Sequence, residues 1–111
     1  MKRGEIWFAD LSPTVGSEIN KRRPVLIVSN NANNRAASTV TVLPITSNVD
    51  KIYPFEVALP TEASGLPKAS KAQAQQIRTI ARERIVDKLV GQLDTKTMGA
   101  VDRAVQLHLA L

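Results

Sequence analysis

Lys21-Arg22-Arg23-Pro24-Val25-Leu26-Ile27-Val28-Ser29-Asn30 is the stretch from which the rest of the chain can be read. Three basic residues meet a proline and then an unbroken apolar run, so positive charge stands at the mouth of a strand. Pro24 biases Arg23 toward extended backbone and lacks an amide hydrogen, which is tolerable where a strand starts. Val25 to Val28 shows no polar alternation, the pattern of a central strand covered on both faces. Such a strand needs neighbours on either side.

The downstream neighbour is the run 39–46, reached through a connection marked by Asn30, Asn31, Asn33 and Asn34, because Asn bonds its own backbone and tolerates left-handed conformations. Two strands joined this way most simply pair antiparallel, with Ser29 opposite Val40. In that register the numbers of paired positions sum to a constant, which puts Arg23 opposite Thr46. Directly opposed side chains lie about 4.5 to 5.5 Å apart at Cβ and point to one face. A guanidinium and a hydroxyl then share a patch.

Upstream, Ile6, Trp7 and Phe8 within residues 5–11 give a short first strand. Pro13 and Gly16 break residues 12–18 into a loop that runs through Asn20 to the basic residues. Beyond strand three, residues 54–59 read as a fourth strand and Ser64-Gly65-Leu66-Pro67 as a turn. Residues 70–80 carry both helix-favouring alanines and the alternation Gln76-Ile77-Arg78-Thr79-Ile80; strand is the reading adopted, passing into a helical turn over 81–84. A last strand over 85–93 ends near Gly91. Asp94 caps a final helix whose Met98, Val101, Val105 and Leu109 recur at steps of three and four.

Composition bounds the function. At 111 residues the chain is expected to form one domain, 1–111, with a single modest core. Fifteen Lys and Arg against ten Asp and Glu give a formal net charge of +5, which favours a polyanionic partner, nucleic acid first. Cysteine is absent, so there is no disulfide and no thiolate chemistry, and the expected location is the cytoplasm. The acids Glu5 and Asp10 interrupt any signal-peptide core, and no apolar run approaches the roughly 18 residues of a membrane span.

The single imidazole, His108, falls near the end of the last helix and reads as a surface or interface residue. No cysteine, histidine pair or carboxylate cluster has metal-ligand spacing, and no phosphate-cradling glycine pattern occurs, so neither a metal nor a cofactor is expected. What remains is a set of donors: Arg23, Thr46 and Ser47, then Gln76 and Arg78 on the fifth strand. Guanidinium binds phosphate oxygens bidentately, and hydroxyl and amide groups complete a cradle. The bland alternatives are solvated charge for Arg22 and Arg23, turn chemistry for Thr46 and Ser47, and a polar outer face for Gln76 and Arg78. Trp7 reads as core; Tyr53, beside a turn, is open to base stacking.

Arg3-Gly4-Glu5-Ile6-Trp7, Asp10-Leu11-x-Pro13, Gly16-Ser17-Glu18, Arg23-Pro24-Val25-Leu26-Ile27, Pro44-Ile45-Thr46-Ser47 and Gln76-Ile77-Arg78-Thr79-Ile80 together resemble the MazF/PemK/Kid toxins of bacterial toxin-antitoxin systems. Each motif alone is weak, whereas the ordered set spans nearly the whole chain. The resemblance implies a mainly β fold, a compact SH3-like antiparallel β-barrel with a C-terminal α-helix, assembled as a homodimer. It implies a metal-independent endoribonuclease that cuts single-stranded RNA, chiefly mRNA, through 2′-OH attack, leaving a 2′,3′-cyclic phosphate and a 5′-OH. It also implies a cognate antitoxin whose acidic segment covers the RNA groove.

Carried over by position, Arg23 and Thr46 are the expected catalytic pair. Ser17, Glu18, Lys21, Arg22, Ser47, Gln76 and Arg78 are the expected RNA-binding residues. Ala81, where an acidic residue commonly follows Arg-Thr-Ile, and the alanine-rich stretch 69–74 depart from the family pattern and bear on cleavage specificity. Two rivals exist. The related CcdB toxins poison DNA gyrase through a tryptophan-containing C-terminus, but this chain ends Leu109-Ala110-Leu111. The other is a catalytically idle module that binds RNA or antitoxin.

Overall fold

A computed structural model describes residues 1–19 and 21–111, leaving Asn20, which lay on the expected loop path, outside the described residues. The elements in order are β1 (Glu5–Asp10), β2 (Arg22–Ile27), α1 (Asn31–Ala36), β3 (Thr39–Thr46), β4 (Glu56–Leu59), α2 (Thr61–Ser64), β5 (Ser70–Gln73), β6 (Arg78–Ala81), β7 (Ile85–Gln92) and α3 (Thr95–Leu109). Short 3-10 turns at Ala74–Gln76 and Arg82–Arg84 precede β6 and β7. All pairings are antiparallel, and the strand path runs β4-β5-β3-β2-β1-β7 with β6 also on β3. The fold is a mainly antiparallel β structure closed by a C-terminal helix, as expected.

β2 is central. Val25 and Ile27 enter one apolar cluster with Ala9, Leu11, Val40, Val42 and Ile80, while Leu26 enters the other with Ile6, Leu43, Ile45, Leu59, Val101 and Ala104. The alternation explains the unbroken apolar run: each face of the strand is covered, so neither tolerates polar side chains. The pairing Val25 with Pro44, Leu26 with Leu43 and Ile27 with Val42 is the constant-sum register read from the sequence. Beyond it the side chain of Ser29, rather than a further paired position, receives the Thr41 amide at 3.0 Å.

Three local expectations differ. The asparagine-rich connection folds into α1, because Asn30 acts as N-cap and accepts the Asn33 amide at 2.8 Å, the use of Asn that most favours a helix start. The turn at 64–67 is preceded by α2, which ends in Gly65 at φ 77. The single strand over 70–80 is two, β5 and β6, split by the 3-10 turn, so Gln76 lies in that turn and only Arg78 lies on a strand. The split follows from β3, whose edge pairs with β6 up to Val42 and with β5 only from Ile45. Pro44 falls in that gap, where a missing amide costs least.

The final helix begins at Asp94, whose carboxylate accepts the Thr97 amide at 2.7 Å. Met98 and Val105 pack beside buried Val101 and Ala104, but Leu109 is 46% exposed. Gly91 has a tertiary reason: a Cβ there would stand 2.2 Å from the Ser64 carbonyl oxygen, so β7 and the end of α2 cross backbone to backbone. Among the described residues no helix is long and apolar enough to cross a membrane.

Candidate active site

At the N-terminal end of β2 the sheet forks. Arg22 and Arg23 stay paired with Asp10 and Ala9 of β1, but pairing with β3 stops at Val25. The end of β3 turns instead to β5, with Thr46 opposite Lys71. Side-chain alternation continues Arg23 onto the face of Val25 and Ile27, and Thr46 onto the face of Val40 and Val42, which is the same face. The Thr46 hydroxyl accepts the Asn48 amide at 3.2 Å.

The fork opens a cleft of about 330 Å³ on the opposite face. Lys21, Arg22, Arg23, Ser47, Lys68 and Ser70 supply its polar lining, with Phe8, Pro24, Ile45 and Leu66 among its apolar walls. Among the described residues, Arg23 alone belongs to both the cleft lining and the face it shares with Thr46. Of the sequence candidates, the cleft therefore gathers Lys21, Arg22, Arg23 and Ser47; Thr46, Ser17, Glu18, Gln76 and Arg78 do not line it. Lys68 and Ser70 had no motif to signal them.

Gln76 and Arg78 serve the β1–β2 loop. The Gln76 amide donates to the Ser17 carbonyl at 3.5 Å and its oxygen accepts the Ile19 amide at 3.3 Å, while Arg78 donates to the Leu11 carbonyl at 3.3 Å. Glu18 folds back on the same loop, its carboxylate accepting the Val15 amide at 3.0 Å. Lys21 closes the loop at φ 68, its amide donating to Ser12 Oγ at 2.9 Å and its carbonyl accepting the Leu11 amide at 3.0 Å. Arg22 is engaged at the surface, paired with Asp87 at 2.7 Å and lying over the Phe8 ring.

Beside Thr46 lies a charged hub that the sequence reading missed. The Glu56 side chain, 1% exposed, pairs with Lys71 at 2.9 Å and accepts from the Tyr53 amide and from the side-chain amides of Gln73 and Gln75. Lys71 also donates to the Lys51 carbonyl at 2.6 Å, tying down the segment that follows Thr46 and Ser47. Burial by itself would raise the Glu56 pKa, but the four donors prevail and hold it at about 2, against 4.5 ordinarily. Both glutamines turn their NH₂ groups to this carboxylate, and their own oxygens are left buried without a hydrogen-bond partner among the described residues.

The aromatic candidates divide. Trp7 packs against the cluster of Val25 and Ile27 and donates its ring N–H to Glu5 at 3.1 Å. Tyr53 is 41% exposed but stacked on Phe55 at 5.3 Å, with the Lys51 ammonium 4.9 Å from its ring centre. His108 is exposed, its ring 6.4 Å from that of Phe55. Among the described residues no three His, Asp or Glu side chains gather as metal ligands would.

The family described as PemK-like, MazF-like toxin of type II toxin-antitoxin system matches residues 2–109. The chain is similar to Endoribonuclease MazF9 of Mycobacterium tuberculosis, 45% identical over 116 residues that cover 100% of this chain and 98% of that protein. It is also similar to Endoribonuclease EndoA of Bacillus subtilis, 42% identical with 100% and 96% covered. Among solved structures, a mycobacterial endoribonuclease in complex with its cognate antitoxin superposes with a TM-score of 0.81 at 27% identity, covering 100% of this chain and 96% of that one. MazF from Deinococcus radiodurans shares the fold at a TM-score of 0.86 and 22% identity, covering 100% and 97%.

Proposed function

The chain belongs to the PemK-like, MazF-like toxins of type II toxin-antitoxin systems, and from that premise we propose that it is an endoribonuclease cutting single-stranded RNA, mRNA above all, without a metal ion. The observation that carries this reading is the strand register that continues Arg23 and Thr46 onto one face, with Arg23 also lining the basic cleft on the other. The 2′-oxygen attacks the adjacent phosphorus while the bond to the 5′-oxygen breaks. The 2′-proton passes to a base and the 5′-oxygen gains a proton. The products are a 2′,3′-cyclic phosphate and a free 5′-OH.

Arg23 supplies a guanidinium to the charge that grows on the phosphate oxygens, where preorganised stabilisation is often the largest catalytic contribution. Thr46 accepts from the Asn48 amide, which leaves its hydroxyl proton to donate to the same phosphate. Lys21, Arg22, Ser47 and Lys68 in the cleft take flanking phosphates. Ser17 and Glu18 border the path, positioned through Gln76 and Arg78. The protein works in the cytoplasm as a homodimer, its cleavage of mRNA stops translation and growth, and an antitoxin with an acidic segment blocks the cationic path.

Purified protein incubated with single-stranded RNA in EDTA tests this directly. The expected result is cleavage at short motifs with cyclic-phosphate ends, and a loss of about a hundredfold or more in Arg23→Ala with the far-UV spectrum unchanged. Full activity in Arg23→Ala would remove that residue from the site. A strict need for divalent metal would overturn the mechanism.

A further inference from the structure

Three consecutive peptide carbonyls at the end of β1 receive guanidinium hydrogen bonds. Arg84 donates to the Asp10 carbonyl at 3.0 Å and to the Ser12 carbonyl at 2.6 Å, and Arg78 takes the Leu11 carbonyl between them. The place is one where strand pairing fails. β7 pairs with β1 only as far as Ile85 opposite Ala9, and the chain before Ile85 curls into the 3-10 turn that holds Arg84. The Arg84 guanidinium thus stands beside the position where strand pairing would continue, one nitrogen bridging two carbonyls. Nothing in a motif signals this, because the acceptors are backbone atoms.

What this guanidinium holds adjoins Arg23. Asp10 and Ala9 are the partners of Arg22 and Arg23, and on its other edge β2 has already parted from β3. The Leu11 amide bonds the Lys21 carbonyl and the Lys21 amide bonds Ser12 Oγ, so residues 10–12 also close the neck of the loop. We propose that Arg84 is a positioning residue for RNA cleavage: by pinning the Asp10 and Ser12 carbonyls it fixes the neck from which Arg23 is presented to the phosphate. This rests on the ribonuclease reading above. Both bonds come from one nitrogen, Nη1, and a planar NH₂ group suits the role, since the guanidinium plane fixes the directions of its two hydrogens.

Two measurements on Arg84→Gln and Arg84→Lys test it, at a temperature where both variants are folded by circular dichroism. The first needs no RNA: hydrogen exchange at the Leu11 amide is expected to accelerate about tenfold in Arg84→Gln, because the neck opens locally. The second is steady-state cleavage, where Arg84→Gln is expected to lower kcat about tenfold with KM within about twofold, a misplaced catalytic group rather than lost affinity. Arg84→Lys, which keeps a donor but not a planar NH₂ with fixed hydrogens, should fall between. Unchanged exchange at Leu11 would overturn the proposal whatever the RNA result. Faster exchange with wild-type kcat would equally overturn it. Failure of the wild-type protein to cut RNA would instead overturn the ribonuclease reading, and exchange would still decide whether Arg84 holds the neck.

Discussion

The ends of β2 and β3 that carry Arg23 and Thr46 are held by opposite means. Thr46 adjoins the Glu56–Lys71 hub, whose side chains are 1% and 9% exposed and whose carboxylate collects four donors. Arg23 stands on a neck held by half-buried guanidinium groups on backbone carbonyls, with the exposed Arg22–Asp87 pair outside it. A buried ion pair has few alternatives, because breaking it strands a charge in low dielectric. An exposed donor can exchange a carbonyl for water at little cost. The wall at Thr46 is therefore the costlier to break and the wall at Arg23 the cheaper, though each is held in the folded chain.

The largest effect expected from this contrast is in Lys71→Met, which leaves the Glu56 carboxylate buried without its cation. Unfolding in urea should show a loss of about 3 to 5 kcal/mol, part of it recovered when Glu56→Gln is added, since no charge then remains. The orphaned oxygens of Gln73 and Gln75 show how strongly the carboxylate commands its surroundings. Should Lys71→Met cost no more stability than Arg84→Gln, the two walls would be alike in strength.

Acid should loosen the same wall. A carboxyl held at about 2 when folded and at 4.5 otherwise contributes stability that is present above pH 4.5 and is lost as pH falls toward 2. The shift corresponds to a contribution on the order of 3 kcal/mol. Urea midpoints measured from pH 6 down to 2.5 should therefore fall more steeply in the wild type than in Glu56→Gln. Parallel curves would place the acid-sensitive group elsewhere.

These two walls were not equally legible in the sequence. The register beneath the site was readable because β2 and β3 follow one another across a short connection whose asparagines mark where each strand ends, so one assumed end pairing sets the sum for every pair. The bounds of β3 were readable for the same reason. The asparagines of α1 were misread because a turn and an N-cap use the same side-chain hydrogen bond. Residues 70–80 were misread because the break belongs to β3, which changes partners there. Glu56 and Lys71 lie fifteen positions apart with no motif between them. Arg84 acts on carbonyls, which every residue carries.

The smallest effect expected is also the one that tests whether the basic cleft lies on the RNA path. Arg22 and Asp87 are each about half exposed, 55% and 53%, so their pair contributes no more than about 1 kcal/mol. Asp87 sits at φ 68, a conformation Asn adopts as readily, which makes Asp87→Asn a substitution of charge without backbone strain. Stability should change by less than about 0.5 kcal/mol. RNA affinity should rise slightly, because Arg22 is released from its carboxylate and turns to phosphate. In a plot of log affinity against log salt, one added contact to a single strand steepens the slope by about 0.7. An unchanged slope with unchanged affinity would mean that Arg22 meets no phosphate, and that RNA reaches Arg23 across the Thr46 face alone.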